Sequence, residues 1–248
     1  MRSPRCQART RAPGTGVPSI ALQNLNKTNA QLEMTQNRVN TGMKVSSAKD
    51  SGAIYAIATG QRANMGAMES VRASLQRGQS IVDVALAAGD TVTAALEEMK
   101  GLAVSIAGST GATQTSYLTD FRALGAEITS ALAGAGFDGV NLLKTASTGG
   151  TAVNVRIGTG ATDTKTIGIT TDLSANTDLA KFTAASPTVA DFTSANVDLV
   201  MTAVTTALST LGTQSKSLGR QISFVNKLQD ALEAGVGNLV DADLAKES

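Results

Sequence analysis

The feature that most constrains this chain is an unbroken alternation of four- and three-residue steps near its C-terminal end. Fourteen positions follow this spacing and eleven of them are apolar: Val197, Met201, Val204, Leu208, Leu211, Ser215, Leu218, Ile222, Val225, Gln229, Leu232, Val236, Leu239 and Asp243. Such a heptad seam is typical of a helix that packs lengthwise against another helix. It predicts one continuous helix from Val197 through Leu239 that needs a helical partner to be stable.

The three polar residues of this seam share one heptad position. Ser215, Gln229 and Asp243 stand fourteen residues apart. Polar residues placed this way fix the register and the number of partner helices at some cost in stability. They therefore predict a defined alignment between this helix and its partner.

Three further helices are predicted nearer the N-terminus. The first carries Leu22, Leu25, Leu32 and Val39 and stops at Asn40-Thr41-Gly42, where residues that tolerate a left-handed backbone follow one another. The second runs from about Tyr55 to Ala107, and the third from about Thr115 to Ala133. The second has an apolar stripe despite its interior glycines, among them Gly66 and Gly78, each of which costs about 1 kcal/mol against Ala.

We expect the apolar stripes of these helices to supply bundle or subunit packing. Ten residues represent this set: Leu75, Val82, Leu86, Leu96, Leu208, Leu211, Leu218, Ile222, Val225 and Leu232. Because each buried Leu or Ile contributes about 1.5–3 kcal/mol, such stripes are sufficient to hold a bundle together.

The middle of the chain has a different composition. Val153, Val155 and Ile157 alternate with polar residues, and a turn over 158–163 precedes a second alternating segment. This pattern predicts a β-hairpin that needs the helices for support.

The predicted fold is therefore mainly α, an elongated antiparallel helical bundle with a small β-hairpin region. Its segments are an artificial leader over 1–19, an N-terminal helical part over 20–136, a hairpin and loop region over 137–195, and a long helix over 196–248. Residues 171–195 are expected to form loops or weak structure.

Composition argues against an enzyme. The chain has no His, so imidazole bases and His-ligated metals are excluded, and its only Cys is Cys6. Aromatic residues make up 3% of the chain, which predicts a core of Ala, Val, Leu, Ile and Met. We predict no catalytic residue, no cofactor and no metal.

Two short motifs have plainer explanations than chemistry. Gly134, Gly136 and Gly139 match G-x-G-x-x-G, but a helix precedes them, so a turn is favoured over a dinucleotide site. Asp241 and Asp243 are two residues apart and point to different sides of a helix, which favours solvated carboxylates over a metal site.

Charge and hydropathy exclude two classes of partner. The net charge is +1, and four arginines lie in the acid-free leader, so residues 20–248 carry +1 − 4 = −3. This balance argues against nucleic-acid binding. No run of about 18 apolar residues occurs, so no membrane span is predicted.

Basic residues of the first helical half suggest a different ligand. Lys44, Lys49, Arg62, Arg72, Arg77 and Lys100 could pair with carboxylates of an acidic polymer. Scattered surface cations are the simpler explanation, and both interpretations stay open at this point.

Several segments together resemble bacterial flagellins. At the N-terminal side they are Ala21–Thr28, Arg38–Asp50 and Leu96–Val104; Phe137–Val140 is similar to a family turn, and Asn238–Glu247, NLVDADLAKE, resembles the family's C-terminal signature. These matches occur in the family's order and cover most of residues 20–170 and 197–248.

The resemblance implies a structural subunit of the flagellar filament, extracellular, self-assembling through helix packing and serving motility. Its implied partners are other flagellin subunits and the flagellar export and cap proteins. The alternative is a cell-surface flagellin homologue that acts as an adhesin or receptor for an acidic polysaccharide. Because the family's first residues and a further C-terminal helix have no counterpart here, the resemblance also implies a chain truncated at both termini and monomeric.

Overall fold

Long helices dominate the computed structural model, which describes residues 16–144, 152–183 and 188–247. The helices are α1 Gly16–Thr41, α2 Gly52–Ala107, α3 Gly111–Gly134, α4 Thr177–Thr183, α5 Ser194–Val240 and α6 Leu244–Glu247, with a 3₁₀ helix at Val189–Asp191. The strands are β1 Gly136–Phe137, β2 Val140–Asn141, β3 Val153–Arg156 and β4 Thr164–Ile167, in two antiparallel pairs. The predicted mainly α fold class is confirmed.

The ends of the elements differ from the predicted ones in a few places. Helix α1 begins at Gly16, inside the segment 1–19 assigned to a leader; Pro18 lies in its first turn, where a missing N–H costs nothing. Residues 1–15 lie outside the described residues. Helix α5 is continuous as predicted but ends at Val240, so Asp243 does not belong to its seam.

The chain divides into two compact units. One is Met1–Arg62 with Glu233–Ser248, and the other is Ala63–Leu232. This division crosses the long helices α2 and α5, whereas the sequence analysis placed its boundaries at 136 and 195. The segment boundaries at 136 and 195 were placed where the composition changes, and they stay predictions.

In the second unit, α2 and α5 pack antiparallel, and two hydrogen bonds between their side chains show how the helices are aligned. Gln79 Nε2 donates to Ser215 Oγ at 2.6 Å and Gln229 Nε2 donates to Glu69 Oε2 at 3.3 Å. Ser215 and Gln229 are thus polar seam residues that bond to polar residues of α2, in keeping with a register role inside the chain.

The buried face of α5 follows one of its two heptad positions. Val197, Val204, Leu211, Leu218 and Val225 stand seven residues apart and are all buried. The other position, which holds Leu208 and Ile222, is half-buried and packs on the same core. Between Val197 and Val225 the seam therefore packs asymmetrically, with one row of side chains enclosed and the other half-buried.

Of the ten predicted packing residues, six are buried and four are half-buried. The buried ones are Leu75, Val82, Leu96, Leu211, Leu218 and Val225; the half-buried ones are Leu86, Leu208, Ile222 and Leu232. Side chains without exposed surface cannot contact another subunit, so the buried six serve packing within the chain.

Three of the five phenylalanines form a cluster in the second unit. Phe121 of α3 contacts Phe182 of α4 and Phe192 with ring centroids 5.1 Å and 4.9 Å apart, both edge to face. All three rings are buried. The prediction of a core made only from Ala, Val, Leu, Ile and Met was wrong, because scarce aromatic residues are concentrated at one point.

Strands β3 and β4 form the predicted hairpin, which leans on α2 and α5. Gln214 of α5 exchanges two hydrogen bonds with the backbone of Gly168, at 2.8 and 2.9 Å. The backbone N–H of Arg156 donates to Ser74 Oγ of α2 at 3.1 Å. Val155 and Ile167 are buried against the helices, which supplies the support that a two-stranded hairpin needs.

The first unit joins the two ends of the chain. The backbone N–H groups of Lys44 and Val45 donate to the carbonyl of Val240 at 2.6 and 3.2 Å, and Ala242 N–H donates to the Gly42 carbonyl at 2.9 Å. Helix α1 contacts α6. Gly42 has φ +68°, as its predicted role in ending α1 requires.

A test of helix and hairpin packing is the substitution Gly78→Ala. A Cβ at Gly78 would lie 2.6 Å from Val155 Cγ2 and 3.3 Å from Cγ1. Because Val155 is buried and its β-branched side chain is stiff, the hairpin must shift, at a cost of about 1–3 kcal/mol of unfolding free energy. The matched control Gly66→Ala meets nothing within 4 Å in the same helix and should gain about 0.5–1 kcal/mol. Urea unfolding followed by circular dichroism measures both, and equal effects would contradict this packing.

Candidate assembly surface

Along residues 19–41 of helix α1, the part whose side chains are described, the large apolar side chains are exposed. Six of them have exposed fractions between 46% and 59%: Ile20, Leu22, Leu25, Leu32, Met34 and Val39. An aliphatic residue here and there on a surface is ordinary, but a series along one helix marks an interaction site.

Four of these side chains form a stripe. Leu25, Leu32 and Val39 are seven residues apart, and Leu22 precedes Leu25 by three, so all four lie on one face of α1. We call this set the α1 stripe. Ile20 and Met34 fall on the opposite side of the helix.

The α1 stripe suits a second helix better than a small ligand. Helices pack by placing residues with this spacing into the grooves of a neighbour. In the sequence, the four residues of the α1 stripe follow a helical pattern, but none of them is among the ten predicted packing residues. The apolar residues of α1 and α5 have the same kind of heptad spacing. The structure shows that the apolar residues of α5 are buried within the chain, whereas those of the α1 stripe are exposed.

Three of the basic residues proposed for an acidic polymer lie along α2 in the second unit, and these three do not form one site. Arg72, Arg77 and Lys100 already pair with Glu69, Asp138 and Asp198 of their own chain, at 2.5, 2.5 and 2.6 Å. Arg77 and Lys100 are exposed and Arg72 is half-buried along α2, where Arg72 and Lys100 are about 42 Å apart at 1.5 Å per residue. Their spread and their pairing support the simpler explanation of surface cations.

Lys44, Lys49 and Arg62 belong to the first unit. Lys44 and Lys49 line a cavity of about 310 Å³ with Arg38, Glu33 and Asp50. Its wall therefore contains both cations and carboxylates.

Asp50 orders the loop at this cavity. Its Oδ2 accepts hydrogen bonds from the backbone N–H and the hydroxyl of both Ser46 and Ser47, at 2.9–3.1 Å. These bonds, led by the one from the Ser47 backbone, hold the pKa of Asp50 below its ordinary value of 3.8. Because the folded pKa is lowered, the stabilisation is present above pH 3.8 and is lost as the pH falls through the folded pKa.

Two kinds of feature are absent from the described ranges. Within them, no group of three or more His, Cys, Asp or Glu residues could hold a metal ion, and no helix has the length and apolar character to cross a bilayer. Gly134 ends α3 and Gly139, with φ +75°, lies in the β1–β2 turn. The interpretation of G-x-G-x-x-G as a turn is confirmed.

Comparison with known proteins gives consistent matches. A model of the bacterial flagellin N-terminal helical region matches residues 16–148, and one of the bacterial flagellin C-terminal helical region matches residues 194–248. Flagellin FljM of Caulobacter vibrioides is 46% identical over 251 residues, covering 92% of this chain and 84% of the relative. Flagellin FljN of the same organism is 46% identical over 232 residues with the same coverage. A flagellin of Brucella melitensis is 35% identical over 240 residues, again covering 92% and 84%.

Proposed function

Because this chain belongs to the bacterial flagellin family and is a structural subunit of the extracellular flagellar filament, we propose that the α1 stripe holds neighbouring subunits together. The observation that supports this proposal is the exposure of all four stripe residues, 46–59%, on a helix of 26 residues. In a filament, a neighbouring subunit can cover these four side chains, which nothing covers in the isolated chain.

The energy available is of the right size for assembly. Full burial of a Leu or Val side chain is worth about 1.5–3 kcal/mol, and the stripe residues are about half exposed. Covering all four would contribute roughly 3–6 kcal/mol to each contact by the same scale. A repeated contact of this strength favours polymers at modest protein concentration.

Cysteine labelling tests the proposal. In a Cys6→Ser background, the variant Leu32→Cys should react rapidly with a maleimide in the monomer. In the filament it should react at least about tenfold more slowly, since labelling requires the contact to open. Filaments are grown on fragments of existing filament used as seeds.

The control for this labelling experiment is Gln23→Cys, on the opposite face of α1. It should lose less reactivity than Leu32→Cys on assembly. Equal labelling rates of Leu32→Cys in monomer and filament would overturn the proposal.

Other features implied by the resemblance remain part of the proposal. We propose that the chain catalyses no reaction and that flagellar export and cap proteins are its further partners; the absence of His from the whole sequence supports the first. Self-assembly follows from membership of the family. We propose that these 248 residues stay monomeric on their own and add to existing filament ends, and the assembly tests therefore use seeds.

Binding of an acidic polysaccharide stays the alternative. Its best support is the cavity with Lys44, Lys49 and Arg38. Titration of the chain with a uronate polymer at low salt should then show binding that falls steeply as salt is added and that Lys44→Ala/Lys49→Ala weakens. Absence of binding at low salt would dispose of this alternative.

A further inference from the structure

The outer side of α2 contains a second heptad pattern, made of exposed residues. Seven positions alternate by four and three residues, and all are exposed: Asp83, Ala87, Asp90, Ala94, Glu97, Gly101 and Val104. One heptad position holds Asp83, Asp90 and Glu97 and ends at Val104, which is 63% exposed. The other heptad position holds only Ala or Gly. We call this set the acidic face. Its small residues allow a second helix to approach closely.

The outer side of α5 shows the opposite charge. From Gly212 to Gln229 the chain has three cations and no acid. These cations, Lys216, Arg220 and Lys227, lie on one side of α5 with Phe224, which is 57% exposed. Arg220, Phe224 and Lys227 line one shallow cavity of about 430 Å³. We call these four residues the cationic face.

The charged groups of both faces form no ion pair within the described part of the chain, although Asp83 accepts a hydrogen bond from Gln79 at 2.8 Å. No ion pair there contains Asp90, Glu97, Arg220 or Lys227, although four other pairs form. Exposed cations that line an apolar cavity around an exposed Phe suit a partner that is acidic and has a shallow apolar surface.

The spacing of the two faces matches. Arg220 and Lys227 are seven residues apart, and so are Asp90 and Glu97. At 1.5 Å per residue, both separations are about 10.5 Å. When the helices run antiparallel, with Arg220 beside Glu97 and Lys227 beside Asp90, Phe224 falls within one residue of Ala94. A large ring then meets a small residue between two opposite-charge pairs.

A single chain cannot form this contact. Within one chain, α5 lies antiparallel to α2 with Gln79 beside Ser215 and Glu69 beside Gln229, so Arg220 is level with a position between about 74 and 78. Glu97 is about 20 residues further along α2, roughly 30 Å. The matching partner must therefore come from a second copy, displaced along the helix axes.

We propose that the cationic face of one subunit binds the acidic face of the next, with Phe224 packed over Ala94. This inference rests on the proposed function as a filament subunit and adds a contact separate from the α1 stripe. Since α2 and α5 of one chain are antiparallel, an antiparallel contact between copies leaves both copies pointing the same way. A contact between two different faces does not close on itself and produces an open chain of subunits.

Charge reversal on each face tests the pairing. The variants Arg220→Glu/Lys227→Glu and Asp90→Lys/Glu97→Lys should each fold as the wild type, because all four side chains are exposed. Each alone should need at least about tenfold more protein to assemble, since like charges would then meet twice per contact. An equal mixture of the two should assemble near the wild-type concentration, because each reversed face then finds its complement on the other variant.

The matched control is Asp120→Lys/Glu127→Lys on α3. It changes the same charge at the same seven-residue spacing on exposed positions outside both faces, and it should assemble like the wild type. The critical concentration is measured by adding seeds and then sedimenting the filaments. Thermal unfolding of the monomers shows whether each variant is folded.

The outcomes separate this inference from the proposed function. Rescue by the mixture supports the pairing. Failure of the mixture, or normal assembly of either variant alone, overturns it while protection of Leu32→Cys in wild-type filaments still supports the α1 stripe. Failure of the wild type to assemble, even on seeds, would instead count against the proposed function.

Discussion

A chain with Leu25→Asn and Leu32→Asn is expected to remain folded and to fail to form filaments. Both side chains are more than half exposed in the isolated chain, so their loss should change the unfolding free energy by no more than about 0.5 kcal/mol. In a filament the same positions would bury two amides without partners, each costing about 1–3 kcal/mol, in place of two leucines. The critical concentration should therefore rise by at least about 100-fold, at 1.4 kcal/mol per tenfold.

Sedimentation on seeds measures this effect, and the control is Gln23→Asn/Gln31→Asn. Both Gln residues are exposed on α1 away from the α1 stripe. The control should assemble within about threefold of the wild type, because a surface change of this kind is worth no more than about 0.5 kcal/mol. Filaments of normal yield from the Leu25→Asn/Leu32→Asn variant would show that the stripe is not a subunit contact.

Phe121→Ala should produce a large loss of monomer stability in the second unit. The ring is buried and contacts both Phe182 and Phe192 edge to face. Removing a buried Phe costs about 3–5 kcal/mol through lost burial and the cavity left behind. Since a folded domain is stable by only about 5–15 kcal/mol, this is a large part of the total.

Phe224→Ala is the matched control for that change. Its ring is 57% exposed on α5, and its loss should change the unfolding free energy by about 0.5 kcal/mol or less. Urea unfolding of both variants measures the difference. A cost below about 1 kcal/mol for Phe121→Ala would contradict the described cluster.

The long helices could be predicted from the sequence because their spacing is determined locally. The seam of α5 depends only on the repeat of Val197, Val204 and Leu211, and the structure buries these residues as expected. The stop of α1 depends on Gly42, whose left-handed backbone is a local requirement as well.

Helix α4 could not be predicted in the same way. The composition of residues 171–195 predicts loops or weak structure, whereas Thr177–Thr183 is helical. A helix of seven residues is not stable by its own propensity. It is held by the contact of Phe182 with Phe121, 61 positions earlier in the chain, and spacing does not reveal such a contact.

The assembly surface was missed for a related reason. A heptad pattern shows that a helix has an apolar or charged face, but not which molecule covers it. Leu211 and Leu25 both belong to such patterns, yet one is buried within the chain and the other is exposed. The match between Arg220 and Glu97 also becomes visible only when the register of α2 and α5 within one chain is known.

The central claim is that helix faces left open in one chain are closed by other copies of it in the filament. A reconstruction of the filament by cryo-electron microscopy, at a resolution that shows side chains, tests it most directly. The account predicts density from a neighbouring subunit against Leu25 and Leu32 of α1. A map in which these two side chains face solvent would contradict it.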